Sequence, residues 1–266
     1  MCQTVRQLVM FVDLKNHCSR LLGILGNSEL VHEWGNIAEW LQLAAAIKNV
    51  EVDLIQFDHG FGYCRDADNY SMAREELMNG FVSELSRFNF VWVGLESCLN
   101  NINPPKHPDK SKRGKVSNAC YFLQKYFEIR PLPSFLCEEV SAFRLAANSC
   151  LGYESVENRF NRSEGAGYGL FTVYELRNLF AHGSLSFPEP DEENQPISDH
   201  KDMVSHATRI VLLSIQMLLL AYFKHSDLEI PYSWDQDLEV EEVPLWIALN
   251  GCHLATQEAG VQISLW

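Results

Sequence analysis

Between residues 70 and 102, Leu77, Phe81, Leu85, Phe88, Trp92, Leu95 and Leu99 recur every three or four positions. That spacing lays one apolar stripe along a long amphipathic helix, and Pro104 and Pro105 stop it. A second helix is expected over 117–127 with Ser117 as its N-cap. The segment "IRPLPS" ends it, and Ser134 is expected to cap a third helix carrying Leu136, Val140, Phe143 and Ala147. The polar, glycine-rich "ENRFNRSEGAGYG" reads as a connection, with "GAGYG" at 165–169 a flexible hinge because no strand precedes it. Thr172 and Glu175 have capping-box spacing, so the next helix is expected to begin near Val173. The last and longest helix is expected from Ser198 to Phe223, burying Val204, Ala207, Val211, Ile215, Leu218 and Tyr222. Residues 52–57 alternate and read as a short lone strand.

These elements describe an all-α protein. A helical bundle of four to five helices is expected over 70–228. An N-terminal extension over 1–69 holds short helices and the one strand, and a C-terminal packing segment over 229–266 has a structure the pattern leaves open. The most apolar run, residues 210–223, is shorter than the roughly 20 residues a bilayer requires. Arg6, Asp13 and Lys15 interrupt any signal-like core at the start. The expectation is a cytoplasmic protein with no membrane segment.

Totals change this picture in two ways. With 266 residues and a net charge of −14, broad coating of nucleic acid is disfavoured, although a local basic patch is not. The eight cysteines form no C-x-x-C pair and no Cys/His cluster with zinc spacing. Reduced thiols are expected, with Cys98, Cys120 and Cys137 acting as small hydrophobes in helices, and neither metal nor cofactor is implied. No P-loop and no G-x-S-x-G occurs.

The chemistry concentrates in "YELRNLFAHGSLSFPEPDEE", residues 174–193. On a helix, Glu175, Asn178 and His182 share a face, while Val173, Leu176 and Phe180 supply an apolar one. Gly183 suits the left-handed residue that ends a helix. His182 therefore sits in the last turn, where the dipole favours a cation, and Arg177 can swing its fork toward the same space. A histidine can exchange protons, and an arginine can hold a phosphate through paired hydrogen bonds. Those are the parts for cleaving RNA without metal: a base for the 2′-hydroxyl, an acid for the leaving 5′-oxygen and a cation for the phosphorane. Cations near helix C-termini also serve stability alone, so spacing by itself leaves both readings open.

The heptapeptide Arg177-Asn178-Leu179-Phe180-Ala181-His182-Gly183 resembles the signature of the HEPN superfamily, an Arg and a polar residue followed after three positions by His and often Gly. The resemblance covers about 70–223, including the long helix that follows the motif. It implies a metal-independent endoribonuclease acting as a homodimer, with paired sites facing one cleft. By position, Arg177 would contact the scissile phosphate, His182 would transfer protons and Asn178 would orient His182. It also implies RNA as substrate and toxin–antitoxin or defence roles with an antitoxin partner. The alternative it leaves is an inactive HEPN-like dimeric module that binds a partner protein or nucleotide.

Glu189, Asp191, Glu192 and Glu193 follow the motif and would repel RNA unless their loop folds away. The basic loop 106–115, with Lys106, Lys110, Lys112, Arg113 and Lys115, reads first as a solvated loop and second as an RNA-backbone contact through Lys110, Lys112, Arg113 and Lys115. Glu96 has two open roles, an ion pair with Arg177 or a part in the site. His200 and His206 lack a third ligand nearby and read as satisfied or surface residues.

Overall fold

The computed structural model describes residues 11–160, 165–193, 195, 199–233 and 240–255. Helices dominate. In chain order they are α1 (Leu14–Leu25), α2 (Val31–Ala46), α3 (Arg65–Ile102), α4 (Lys115–Tyr126), α5 (Leu136–Leu151), α6 (Tyr153–Phe160), α7 (Tyr168–Ala181) and α8 (Asp199–Tyr222). A small antiparallel hairpin, β1 (Glu229–Tyr232) and β2 (Glu241–Pro244), pairs Ile230 with Val243 and leads into α9 (Leu245–Gly251).

The centre of the molecule is α8. From Met203 to Ala221 every residue except Ser205 and His206 is buried, because α1, α3, α4, α5, α7 and α9 all pack around it. A helix apolar on every side must be enclosed in this way; each large side chain it buries contributes roughly 1.5–3 kcal/mol. By length and composition α8 is also long and apolar enough to cross a membrane, yet it lies inside the protein. Tyr222, expected on its buried face, is 43% exposed, and the expected start at Ser198 lies outside the described residues.

One core runs from Cys18 in α1 to Cys252 just past α9. The segments expected to be appendages of a 70–228 bundle therefore pack into it. Helix α1 is capped by Asp13, whose carboxylate accepts the Asn16 N–H at 2.7 Å, and it packs on α2, which packs on α3. The expected lone strand is instead coil ending in a 3-10 turn at Ile55–Phe57. Its backbone N–H groups are taken by α3 side chains: Ser83 holds Val50, Asn79 holds Val52 and Glu75 holds Leu54 and Ile55. With those donors satisfied, no partner strand is needed.

Three expected caps are not used. Helix α4 begins at Lys115 behind Gly114, so Ser117 lies within it. Helix α5 begins behind Phe135 rather than Ser134; Phe135 holds φ 67°, and its ring packs edge-on against Phe11 at 5.1 Å. Helix α7 begins at Tyr168, four residues before Thr172, which is fully buried in its first turns. The glycines read as a hinge are a close contact. A Cβ at Gly167 would lie 2.7 Å from the Cβ of Cys120 and 2.8 Å from its Cα and carbonyl oxygen, so only glycine lets α7 start against α4. The described cysteines are all free; Cys98 is buried as expected, whereas Cys137 is exposed.

Candidate functional site

The end of α7 is fixed by its backbone. Gly183 takes φ 63°. Its N–H donates to the Phe180 carbonyl at 3.1 Å, and the Ser184 N–H reaches back to Leu179 at 2.9 Å. These are the two bonds of a Schellman motif, with His182 as the C-cap. The expectation that Gly183 closes the helix beside His182 holds.

An aromatic seam sets the helix against α3. Trp92 stacks on Tyr174 with ring centroids 6.3 Å apart, and Phe88 meets Phe180 edge-on at 5.8 Å. The pairing is antiparallel, so the His182 end of α7 points toward the N-terminal half of α3. Behind the seam Val173, Leu176 and Leu179 are buried. Arg177 and Asn178 are half-buried on the outer side, and Ala181 and His182 are exposed.

Arg177 and His182 both lie in the last turns of α7, five residues and so about 140° apart around its axis. Neither side chain has a hydrogen bond or ion pair to a described residue. Asn178 contributes its backbone carbonyl, which accepts the His182 N–H at 3.0 Å; its amide makes no bond to the imidazole. Glu96 does not pair with Arg177. Its carboxylate accepts the Trp92 indole N–H at 2.8 Å and so supports the seam.

The acidic loop leaves this end and runs down α3. Phe187 packs on Phe81 at 6.5 Å between ring centres. Glu189 accepts the Tyr70 hydroxyl and lies 3.5 Å from Arg74 Nε. Tyr70 and Arg74 are 14 to 18 residues before Phe88 on one helix, roughly 20–27 Å along its axis, so Glu189 is tied to the N-terminal part of α3.

The basic loop sits at the other end of α3. Lys115 donates to Asn100 Oδ1 at 2.7 Å, Arg113 donates to the His107 carbonyl, and Asp109 caps the 3-10 turn at Lys110–Lys112 by accepting from Ser111. Asn100 is three turns beyond Phe88, so Lys110, Lys112, Arg113 and Lys115 lie roughly 20 Å along the helix from Phe180. One protomer does not bring them to Arg177 and His182. His200 packs edge-on against Phe81, and burial pushes its pKa down. His206 bonds Glu139 at 2.8 Å. His206 is thus a satisfied side chain, as expected, whereas the Nε2 of His200 is buried without a hydrogen-bond partner.

Two surface clefts are formed elsewhere. One, of about 510 Å³, lies between Leu54, Asp58, Tyr70 and Arg74; the other, of about 620 Å³, lies where α4, α8 and α9 meet. Arg177 and His182 line neither. Among the described residues no three His, Cys, Asp or Glu side chains gather to hold a metal ion. The sequence pattern did not reveal the larger cleft, because its walls come from three segments far apart in the chain, one of them the unplaced tail. No family model matches the chain, and no curated protein or solved structure is significantly similar to it.

Proposed function

We propose that this protein is a HEPN-type, metal-independent endoribonuclease whose site is completed by a second copy. One observation carries the reading: Arg177 and His182 stand at a rigidly closed helix end with no hydrogen-bond or ion-pair partner among the described residues. A basic side chain at a helix C-terminus can serve stability without a partner, and a pair with no other commitment is also free to meet a phosphodiester. The pairing of Glu189 with Tyr70 and Arg74 occupies one of the carboxylates that follow the motif.

A single convex helix end cannot supply both a base and an acid. With two copies related by a two-fold axis, one His182 takes the proton from the 2′-hydroxyl as its oxygen attacks phosphorus. The second copy's His182 gives a proton to the 5′-oxygen as the P–O5′ bond breaks. The products are a 2′,3′-cyclic phosphate and a 5′-hydroxyl. Arg177 bridges the phosphorane oxygens through its fork. In this reading the toxin or defence role, and an antitoxin that masks the paired site, follow from family resemblance alone.

The test is cleavage of unstructured RNA in EDTA by the protein and by His182→Ala. The expected result is loss of activity by about 10²-fold or more with unchanged folding, since His182 is exposed. Equal cleavage by both proteins sinks the proposal. No cleavage by either, with a dimer still present in light scattering, favours the inactive binding module.

A further inference from the structure

Helices α4 and α8 end side by side, and the 620 Å³ cleft opens beyond them, closed on its far side by α9. Its volume lies within the roughly 300–1,000 Å³ of small-molecule sites. Four aromatic residues wall it: Tyr126 and Phe127 from the end of α4, Phe223 from the end of α8, and Trp246 from α9. Trp246 is 43% exposed, an indole offered to the open space.

The rim inverts the charge of the molecule. The chain carries 35 acidic against 21 basic residues, yet the cleft is lined by Arg130, Lys224 and His225 against Asp227 alone. Among the described residues neither Arg130 nor Lys224 is in an ion pair; the Arg130 guanidinium lies 5.3 Å from the centre of the Tyr126 ring. Cations near a helix C-terminus offset the dipole, which accounts for Lys224. It does not account for Arg130, four residues past the end of α4, or for four rings around an open space.

The floor has the opposite character. The cleft opens beyond the C-terminal ends of α4 and α8, where a last helical turn leaves backbone carbonyls without intrahelical partners. Asn250 donates its amide to the Trp246 carbonyl at 2.8 Å, leaving its side-chain oxygen as a further acceptor. A ligand that satisfies all three features has a planar ring to stack, N–H donors on that ring, and an anionic group.

We infer that this cleft binds a nucleoside monophosphate unit, either a free nucleotide or the 5′-phosphorylated end of an RNA strand. The base stacks between Trp246 and the α4 aromatics and donates to the floor; the phosphate meets Arg130 and Lys224. The cleft lies at the opposite end of α8 from the α7 terminus, roughly 30 Å away along a 24-residue helix, so the inference does not rest on the ribonuclease reading.

Calorimetric titration of the intact protein with 5′-AMP, adenosine and inorganic phosphate tests it, alongside 2′-O-methyl RNA hexamers with and without a 5′-phosphate. The expected result is binding of 5′-AMP at least tenfold tighter than adenosine or phosphate. Trp246→Ala and the double variant Arg130→Ala/Lys224→Ala should each weaken it tenfold or more, while Arg177→Ala leaves it unchanged; all four positions are at least partly exposed, so folding is preserved. If 5′-AMP binds and the phosphorylated hexamer does not, the ligand is a free nucleotide; if the phosphorylated hexamer binds and its 5′-hydroxyl twin does not, it is an RNA end. The inference is overturned by no binding of either phosphate-bearing probe at millimolar concentration. It is also overturned by phosphate binding as tightly as 5′-AMP, or by loss of binding in Arg177→Ala but not in Trp246→Ala.

Discussion

Acidification should unfold this protein through two buried histidines. His17 in α1 and His253 after α9 are joined through Gln216 of α8. The Gln216 Nε2 donates to the Leu249 carbonyl at 2.6 Å and to His253 Nδ1 at 3.1 Å; its Oε1 therefore accepts from His17 Nε2 at 2.6 Å. That leaves His17 Nδ1 as the acceptor for Arg209 Nη1 at 3.2 Å. Each ring uses one nitrogen as an acceptor, so each must be neutral. Protonating either would set a new N–H against an existing donor. Burial first, then Arg209, holds both pKa values down, His17 well below 6.5 and His253 to about 3, against a smaller opposing effect of the Gln216 and Ser134 hydrogen bonds. Arg20 adds to the positive surroundings; Asp13 and Glu139 act on Arg209 from outside the pair.

Below 6.5 the unfolded chain binds protons that the folded chain refuses. The stability of the neutral rings is thus complete above 6.5 and lost as pH falls toward the folded values. At pH 5, His253 alone accounts for a loss of about 2 kcal/mol, and His17 acts in the same direction. Against a total of roughly 5–15 kcal/mol, that is a large share. Urea unfolding between pH 7.5 and 5 measures it. The wild type should lose stability steeply across this interval, and His253→Gln, which can still accept from Gln216, should lose it less steeply whatever its stability at pH 7.5. Equal slopes in the two proteins would refute the reasoning.

Three further outcomes are expected. Gly167→Ala drives a methyl into the Cys120 backbone; it should cost about 1–3 kcal/mol and lower Tm by several degrees in calorimetry, whereas an unchanged Tm would mean that α7 can lift off α4. Arg74→Ala frees the exposed Glu189 pair at a stability cost under about 1 kcal/mol; RNA binding should weaken several-fold at low salt and recover in Arg74→Ala/Glu189→Gln, which separates loop release from loss of a direct Arg74 contact. Arg177→Lys keeps the charge but loses the fork, so single-turnover cleavage should slow by about tenfold or more with little change in RNA affinity.

The parts of the fold that could be read in advance are those set by local periodicity. Of the α3 stripe, Leu77, Phe81, Phe88, Trp92, Leu95 and Leu99 are buried, with Leu85 partly so. The stop at Gly183 was legible because a left-handed residue is a local need. Caps were not. Ser117, Ser134 and Thr172 are good cap residues in any chain, but the helix starts were decided by the Gly167–Cys120 contact, by the Phe11–Phe135 packing and by where the chain could turn. At the site, the place of His182 in the last turn of α7 followed from helix geometry, whereas the Glu96–Trp92 bond depended on which α3 face met α7. Asn178 sits one turn before His182, but only its backbone reaches that residue. The His17–Gln216–His253 link joins positions about 200 residues apart, a distance over which no spacing rule operates.

Because six helices pack around α8, α4 among them, and α8 begins only at residue 199, no shorter N-terminal product can build this interior. A chain emerging from the ribosome carries its Arg–His motif for tens of residues before the segment that supports it has been made. Truncated or stalled products would display the motif on an unsupported helix, unable to hold two such ends in register. Formation of this interior is thereby tied to synthesis through α8, and proteolytic clipping within α8 would open the core on which α7 packs.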